Sequence, residues 1–249
     1  MKKIALVFYG QLRNIDECYP YWKKNIIEPL NIKDIFVHTY REETEGIKFN
    51  NQKTFSFKVG PSVLNEFNIL YKPKIIMQDD YDILETTKSW MSSRELNTPI
   101  FRYWSFSIHN IFYSMYNVIN IIDENTYDYI ILSRTDNIFV KPITNIVIED
   151  NELLTTNLMN IEYVDYNNPN MCNKFSCISD VLSAGNVKTM KKYASIFLFY
   201  KILVKNGLPF SVECLIGEYL KKLGIKITSF FKYPEEHHML SQQQFLKYR

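Results

Sequence analysis

Tyr127-Asp-Tyr-Ile-Ile-Leu-Ser-Arg-Thr-Asp-Asn-Ile-Phe-Val-Lys-Pro142 decides how the chain is read. Its apolar run, stopped by Arg134-Thr135-Asp136, has the form of a buried strand in an α/β sheet, and ligands in such sheets bind beyond the carboxyl ends of the strands. Arg134 and Asp136 stand at i and i+2, which on extended backbone aims both at one face and Thr135 at the other. A carboxylate and a guanidinium facing one crevice suit a metal-bound diphosphate, the carboxylate taking the divalent cation and the guanidinium the phosphate oxygens. A structural ion pair closing the strand end accounts for the same residues equally well.

Working outward, a strand is predicted at 4–9 and a helix at 14–30, with Asp16 and Glu17 in the first turn complementing its dipole. A strand at 32–38, a helix at 61–71 opening on proline, a short strand at 74–78 and a long aromatic helix at 101–122 follow. Residues 42–58 and 79–99 are polar and lack periodicity; the first is read as a loop or insertion, the second as an excursion over the active face. The alternation β-α-β-α-β-α-β, with crossovers long enough for parallel pairing, predicts a doubly wound sheet across the first 140 residues. Its switch-point crevice gathers Tyr9-Gly10-Gln11-Leu12-Arg13, His38-Thr39-Tyr40 and Arg134-Thr135-Asp136, a nucleotide-sized site. Gly10 is the only glycine of the first loop, so neither a GxGxxG fingerprint nor a Walker loop is present and ordinary NAD or ATP binding is disfavoured. Arg13 at a helix start suits a diphosphate held with the free N–H groups of that helix; pairing with Asp16 or Glu17 is the alternative.

Beyond residue 143 the sequence predicts strands at 153–158 and around Tyr163 and a turn at 167–170. A small-residue segment at 178–185 leads into a helix through 188–205. A further helix at 212–223 is stopped by Gly224, and a last strand covers 225–230. Asp180 precedes a predicted helix and Glu213 lies in the first turn of another. Each is either a helix-start carboxylate favoured by the dipole or a general base for an acceptor hydroxyl.

Composition bounds the class. The 249 residues are 46% apolar and 15% aromatic, ample for a core. Net charge is +2, with 29 basic and 27 acidic residues interspersed, so no cationic face of the kind nucleic acid needs is expected. The N-terminal apolar run is broken by Gln11 and Arg13 before any cleavage site, so it reads as a first strand and not a signal peptide, and a cytoplasmic protein is expected. The apolar run at 194–204 is interrupted by Lys201 and falls short of the roughly 18–20 residues of a spanning helix, so no transmembrane segment is expected. Cys18, Cys172, Cys177 and Cys214 lack CxxC spacing and read as free thiols in a reducing compartment.

Four segments together resemble small glycosyltransferases of the GT-A fold: Tyr9-Gly-Gln-Leu-Arg13, the 127–136 run after a long helix, Ser179-Asp180, and Val212-Glu213-x-Leu-Ile-x-x-Tyr-Leu-x-x-Leu-Gly-Ile-Lys-Ile227. More narrowly, nearly the whole chain resembles the WavE-like transferases of lipopolysaccharide and capsule gene clusters. The resemblance implies a single GT-A domain (1–249), with a nucleotide-sugar-binding part at 1–142 and an acceptor-binding part at 143–249. It also implies a nucleotide-sugar donor, a divalent cation (Mn²⁺ or Mg²⁺), and transfer of one sugar to a hydroxyl of a surface glycan, free or lipid-linked. The location it implies is cytoplasmic, free or peripheral at the inner face of the membrane.

Carried over by residue, Tyr9, Gly10, Gln11, Arg13, Thr39, Arg134 and Asp136 would contact the donor. Arg134-Thr135-Asp136 takes the place of the Asp-x-Asp metal motif, with Asp136 holding the metal and Arg134 meeting phosphate. Asp180 or Glu213 would be the catalytic base of a displacement at the anomeric carbon, the cation and Arg134 stabilising the departing nucleoside diphosphate. The literal Asp80-Tyr81-Asp82 comes too early and reads as a decoy loop. Glu235-Glu236-His237-His238 would add a late metal ligand or form a solvated tail. Trp90, Tyr103 and Trp104 would stack on sugar faces or pack in the core. Two alternatives stay open: a sugar nucleotidyltransferase, which would normally carry a glycine-rich first loop, and a non-catalytic GT-A-like scaffold. Hydrolase readings need clustered carboxylates or His/Ser pairs, which the sequence does not reveal.

Overall fold

The computed structural model describes residues 2–41, 61–80, 99–156, 158–164, 172–208, 211–229 and 237–239; at 41, 61, 80, 99–107, 158–164, 172–176 and 237–239 it describes backbone alone. The first half runs β1 (Ile4–Tyr9), α1 (Ile15–Trp22), a π-helical turn (Lys23–Ile27), β2 (Asp34–Arg41), α2 (Pro61–Tyr71), β3 (Ile75–Asp80), α3 (Pro99–Asn120), β4 (Tyr129–Ser133) and β5 (Asn137–Phe139). It continues through β6 (Glu152–Thr155), β7 (Leu158–Val164), β8 (Cys172–Ile178), β9 (Leu182–Asn186), α4 (Val187–Ala194), α5 (Ile196–Lys205), α6 (Val212–Lys222), β10 (Lys226–Ser229) and β11 (His237–Met239).

Seven strands form one mostly parallel sheet in the order β10-β6-β9-β4-β1-β2-β3. β1 lies parallel to β2 and β4, β2 to β3, and β6 to β10; only β9 runs antiparallel, against both β4 and β6. The side-chain period of two splits β1 cleanly. Ala5, Val7 and Tyr9 pack beneath α3, α4, α5 and α6, whereas Ile4, Leu6 and Phe8 pack beneath α1 and α2. Helices thus flank both faces, an α/β architecture compatible with a Rossmann-like fold. The sheet does not stop near residue 142, since β6, β9 and β10 extend it beyond β4.

Several elements differ from their sequence expectation. The helix expected at 14–30 is α1 followed by the π turn, in which the Glu28 N–H bonds the Lys23 carbonyl at 2.9 Å. Pro20 inside α1 has no N–H to give. The widened turn buries Asn25, whose Nδ2 donates to the Phe139 carbonyl at 2.5 Å while its carbonyl accepts from the Ile143 N–H at 2.8 Å, so the turn holds the chain after β4. The single helix expected through 188–205 is two, broken at Ser195. Segment 178–185 supplies a strand, β9, within the sheet, and its small Ser183 and Gly185 let α4 close on it. A Cβ at Gly185 would meet the Met190 Sδ at 3.1 Å.

The tail reading of Glu235-Glu236-His237-His238 also changes: β11 pairs antiparallel with β5, setting His238 opposite Ile138 and Met239 opposite Asn137. Residues 42–58, the turn at 167–170, Tyr81-Asp82, Trp90 and Glu235-Glu236 lie outside the described residues, as do the side chains of Tyr103 and Trp104 and most of the 79–99 excursion. Among the described residues Cys18, Cys177 and Cys214 are buried free thiols, and no helix is long and apolar enough to cross a membrane.

Candidate functional site at the β1/β4 switch point

The strand order reverses between β1 and β4, so the chain leaving β1 and the chain leaving β4 flank one crevice. β4 ends at Ser133, and residues 134–136 form a turn before β5 begins. The extended geometry expected for Arg134 and Asp136 is therefore corrected. On the turn they face each other and close a bidentate pair, Arg134 Nε donating to Asp136 Oδ1 at 3.1 Å and Nη2 to Oδ2 at 2.7 Å.

The turn is fastened on every side. The Arg134 N–H bonds the Val181 carbonyl at 3.2 Å. Asn137 Nδ2 donates to Ser133 Oγ, to the Arg134 carbonyl and to the Val181 carbonyl, at 2.6, 3.1 and 3.1 Å. Trp22 Nε1 donates to the Thr135 carbonyl at 3.2 Å. Thr135 Oγ1 accepts the Arg13 N–H and donates to the Arg13 carbonyl, both at 2.9 Å, and so ties the β1 loop to the β4 turn. Sequence reasoning gave Thr135 no role, because its partner lies 122 residues away.

Antiparallel β9 starts beside the end of β4, Leu182 opposite Ser133, which carries the preceding Asp180 into the same crevice. Asp180 thus precedes a strand, and the helix-start reading of it is withdrawn. The Tyr9 hydroxyl donates to its carbonyl in a very short hydrogen bond. Tyr9, Asp136 and Asp180 are all buried.

Burial works against the Asp136 charge, but the Arg134 guanidinium, with Arg13 behind it, outweighs burial and holds this carboxyl below the usual range. At Asp180 the balance is opposite: burial, helped by the nearby Glu213 charge, outweighs Arg134 and pushes the carboxyl up. Glu213 sits in the first turn of α6, held by Ser211 Oγ donating to Oε2 at 2.6 Å. Arg13 donates to Gln11 Oε1 through Nε at 3.0 Å and more closely through Nη2. The structure therefore brings together Tyr9, Arg13, Arg134, Asp136, Asp180 and Glu213. Thr39 lies apart from them, buried in β2 opposite Gln78.

A second polar group, buried at His38 and Ser114, was not foreseen. His38 within β2 meets Ser114 of α3 through Nδ1 at 2.9 Å and Asp79 of β3 through Nε2 at 3.0 Å. A His/Ser pair is thus present, correcting the expectation that there is none. It is not a hydrolase triad: His38 and Ser114 have no solvent exposure, and Ser114 Oγ already accepts the Gly10 N–H at 2.9 Å. Burial holds the imidazole below its ordinary pKa despite Asp79, so the ring is neutral and donates from Nε2 to Asp79; the Ser114 hydroxyl lies 2.9 Å from Nδ1 and donates to the His38 carbonyl at 3.1 Å. The group braces Gly10, whose φ of 81° favours glycine. Nothing in the sequence marks it, since its members are 41 and 76 residues apart.

A divalent cation at Asp136 does not fit this donor set. Both carboxylate oxygens are taken by Arg134, the side chain is 1% exposed, and among the described residues no group of three or more His, Cys, Asp or Glu gathers as a metal site. Comparison of the chain with protein-family models and with curated proteins returns no match.

Proposed function

We propose that the protein is a glycosyltransferase of GT-A type that moves a sugar from a nucleotide-sugar donor to a hydroxyl of a surface glycan. The observation that supports this reading is the meeting, at the β1/β4 switch point, of two guanidinium groups with a buried carboxyl of raised pKa, Asp180. Arg134 and Arg13 supply positive charge for a diphosphate leaving group, and the rigid 134–136 turn keeps that charge preorganised. Asp180 is the base. It takes the acceptor hydroxyl proton as that oxygen bonds to the anomeric carbon, while the carbon–oxygen bond to the diphosphate breaks and its electron pair stays on the phosphate oxygen. A raised pKa makes Asp180 a stronger proton acceptor than an exposed aspartate. Glu213 acts on it through charge. Cation dependence is the part of the reading that the donor set favours least, and no step above uses a metal.

One observation favours a second reading. The Arg134–Asp136 pair is closed on itself, which is what a non-catalytic scaffold retaining the fold would show. Thermal shift and calorimetry with UDP, GDP, CMP and their sugars, with and without Mn²⁺, separate the two. A transferase gives one nucleotide that raises the melting temperature by roughly 5–10 °C at about 100 times its Kd. That rise falls in Arg13→Gln and persists in Asp180→Asn, while sugar transfer is lost in Asp180→Asn. Absence of binding by every nucleotide in both conditions leaves the scaffold reading.

A further inference from the structure

Charge is not spread evenly along the chain. Residues 187–226 hold eight lysines against Glu213 and Glu218, a net of +6 in a chain whose total is +2, so the remaining 209 residues carry −4. This basic stretch is the layer α4, α5 and α6. Within it α5 turns Tyr200 and Leu203 into the core and leaves Leu198, Phe199 and Ile202 outward, 53%, 44% and 54% exposed. Three large apolar side chains within five residues form a contiguous stripe on one helix face, since positions 198, 199 and 202 are neighbours at helical spacing. Lys205 continues the stripe one turn further on. At the other end, the Phe199 ring stacks on Tyr219 of α6 at 5.8 Å, bringing the stripe to the turn where Lys221, Lys222 and Leu223 are exposed. Of the two acids, Glu218 lies against Lys221 at 3.9 Å and Glu213 belongs to the switch-point crevice.

We propose that the outer face of α5, with the adjoining end of α6, docks on a bilayer surface that contains anionic lipid. Leu198, Phe199 and Ile202 enter the headgroup boundary, and lysines at both ends of the stripe meet lipid phosphates. An apolar stripe flanked by cations on a helix lying in plane suits such an interface. Long lysine stems let the ammonium groups reach phosphate while their methylenes stay beside the apolar residues. A nucleic acid would meet the lysines but leave the three apolar side chains in water. The inference does not rest on the transferase reading, and its test uses no nucleotide.

The test is co-sedimentation of the full chain with vesicles of phosphatidylcholine alone and of phosphatidylcholine containing one-third phosphatidylglycerol, at low and at physiological salt. Binding is expected to the anionic vesicles only and to weaken with salt. Leu198→Ser/Phe199→Ser/Ile202→Ser abolishes it, and Lys205→Gln/Lys222→Gln lowers the partition by roughly 30-fold. Circular dichroism and melting temperature verify that both variants are folded; should the triple variant not fold, the lysine variant decides. The proposal is overturned if the wild-type chain stays in the supernatant with both vesicle types, or if a folded triple variant binds as well as wild type. It is equally overturned if the triple variant splits a dimer of a wild-type chain that ignores vesicles, or if the chain binds DNA or RNA but not lipid.

Discussion

Arg134 holds two buried carboxyls of opposite character, and this makes it the most consequential single residue. Its guanidinium neutralises Asp136 through two hydrogen bonds and partly offsets the burial of Asp180. Arg134→Met should therefore cost about 3–5 kcal/mol in chemical denaturation, since a buried charge would be left alone. Arg134→Met/Asp136→Leu should recover much of that loss, because the uncompensated partner is gone. A double variant as unstable as the single one would show that Arg134 acts mainly on Asp180. Asp180 predicts the opposite behaviour. Its pKa is raised on folding, so its contribution is complete below the unfolded aspartate value near 4 and is lost as pH rises through the higher folded value. Asp180→Asn should raise the melting temperature at pH 7, with the gain shrinking towards pH 4. Melting curves across that range test this, and a loss of stability at pH 7 would refute it. A variant more stable yet inactive is what a catalytic carboxyl gives.

At the scale of elements, β1, β2 and β3 are joined to α3 by one polar chain, Gly10–Ser114–His38–Asp79, buried at His38 and Ser114 and half-exposed at Asp79. Ser114→Ala removes a partner from both the Gly10 N–H and the His38 Nδ1. It should cost about 1–3 kcal/mol, the usual penalty for an orphaned buried group, and should speed hydrogen exchange at the Gly10 amide. Unchanged exchange there would mean that the His38 carbonyl, 3.0 Å from the Gly10 nitrogen, holds the loop by itself. Elements with one dominant period were legible beforehand: the all-buried β1, and α2, whose bounds at Pro61 and Tyr71 the structure repeats. Strand β9 was not legible. Ser-Ala-Gly has little strand propensity of its own, and its place is given by antiparallel pairing with β4 and β6, residues far from it in sequence.

For the whole molecule, a sheet that continues across residue 142 implies one cooperative unit. The 187–226 helices cover the Val7 and Leu132 face of β1 and β4, so neither half has its own complete core. Calorimetry should give a single unfolding transition with agreeing calorimetric and van't Hoff enthalpies, and residues 1–142 produced alone should lack near-ultraviolet circular dichroism. Two separated transitions, or a folded 1–142 fragment, would contradict this. Charge has a whole-molecule aspect too. A total of +2 conceals a basic helical layer, because composition averages the +6 of residues 187–226 with the −4 of the rest, and folding gathers that stretch into one layer.

The sequence by itself determined the layered α/β architecture, the strand ends at Gly10 and Arg134, and the list from which the charged cluster is drawn, because periodicity and turn chemistry are local properties. Only the tertiary structure decided that the 134–136 segment turns, closing Arg134 on Asp136, and that Asp180 leads into an antiparallel strand beside it. It alone decided that His38, Ser114 and Asp79 meet. The Arg134–Asp136 pair is local and is one of two readings open in the sequence; the other contacts join side chains whose relative position depends on strand order and backbone direction, quantities that no local pattern of residues encodes.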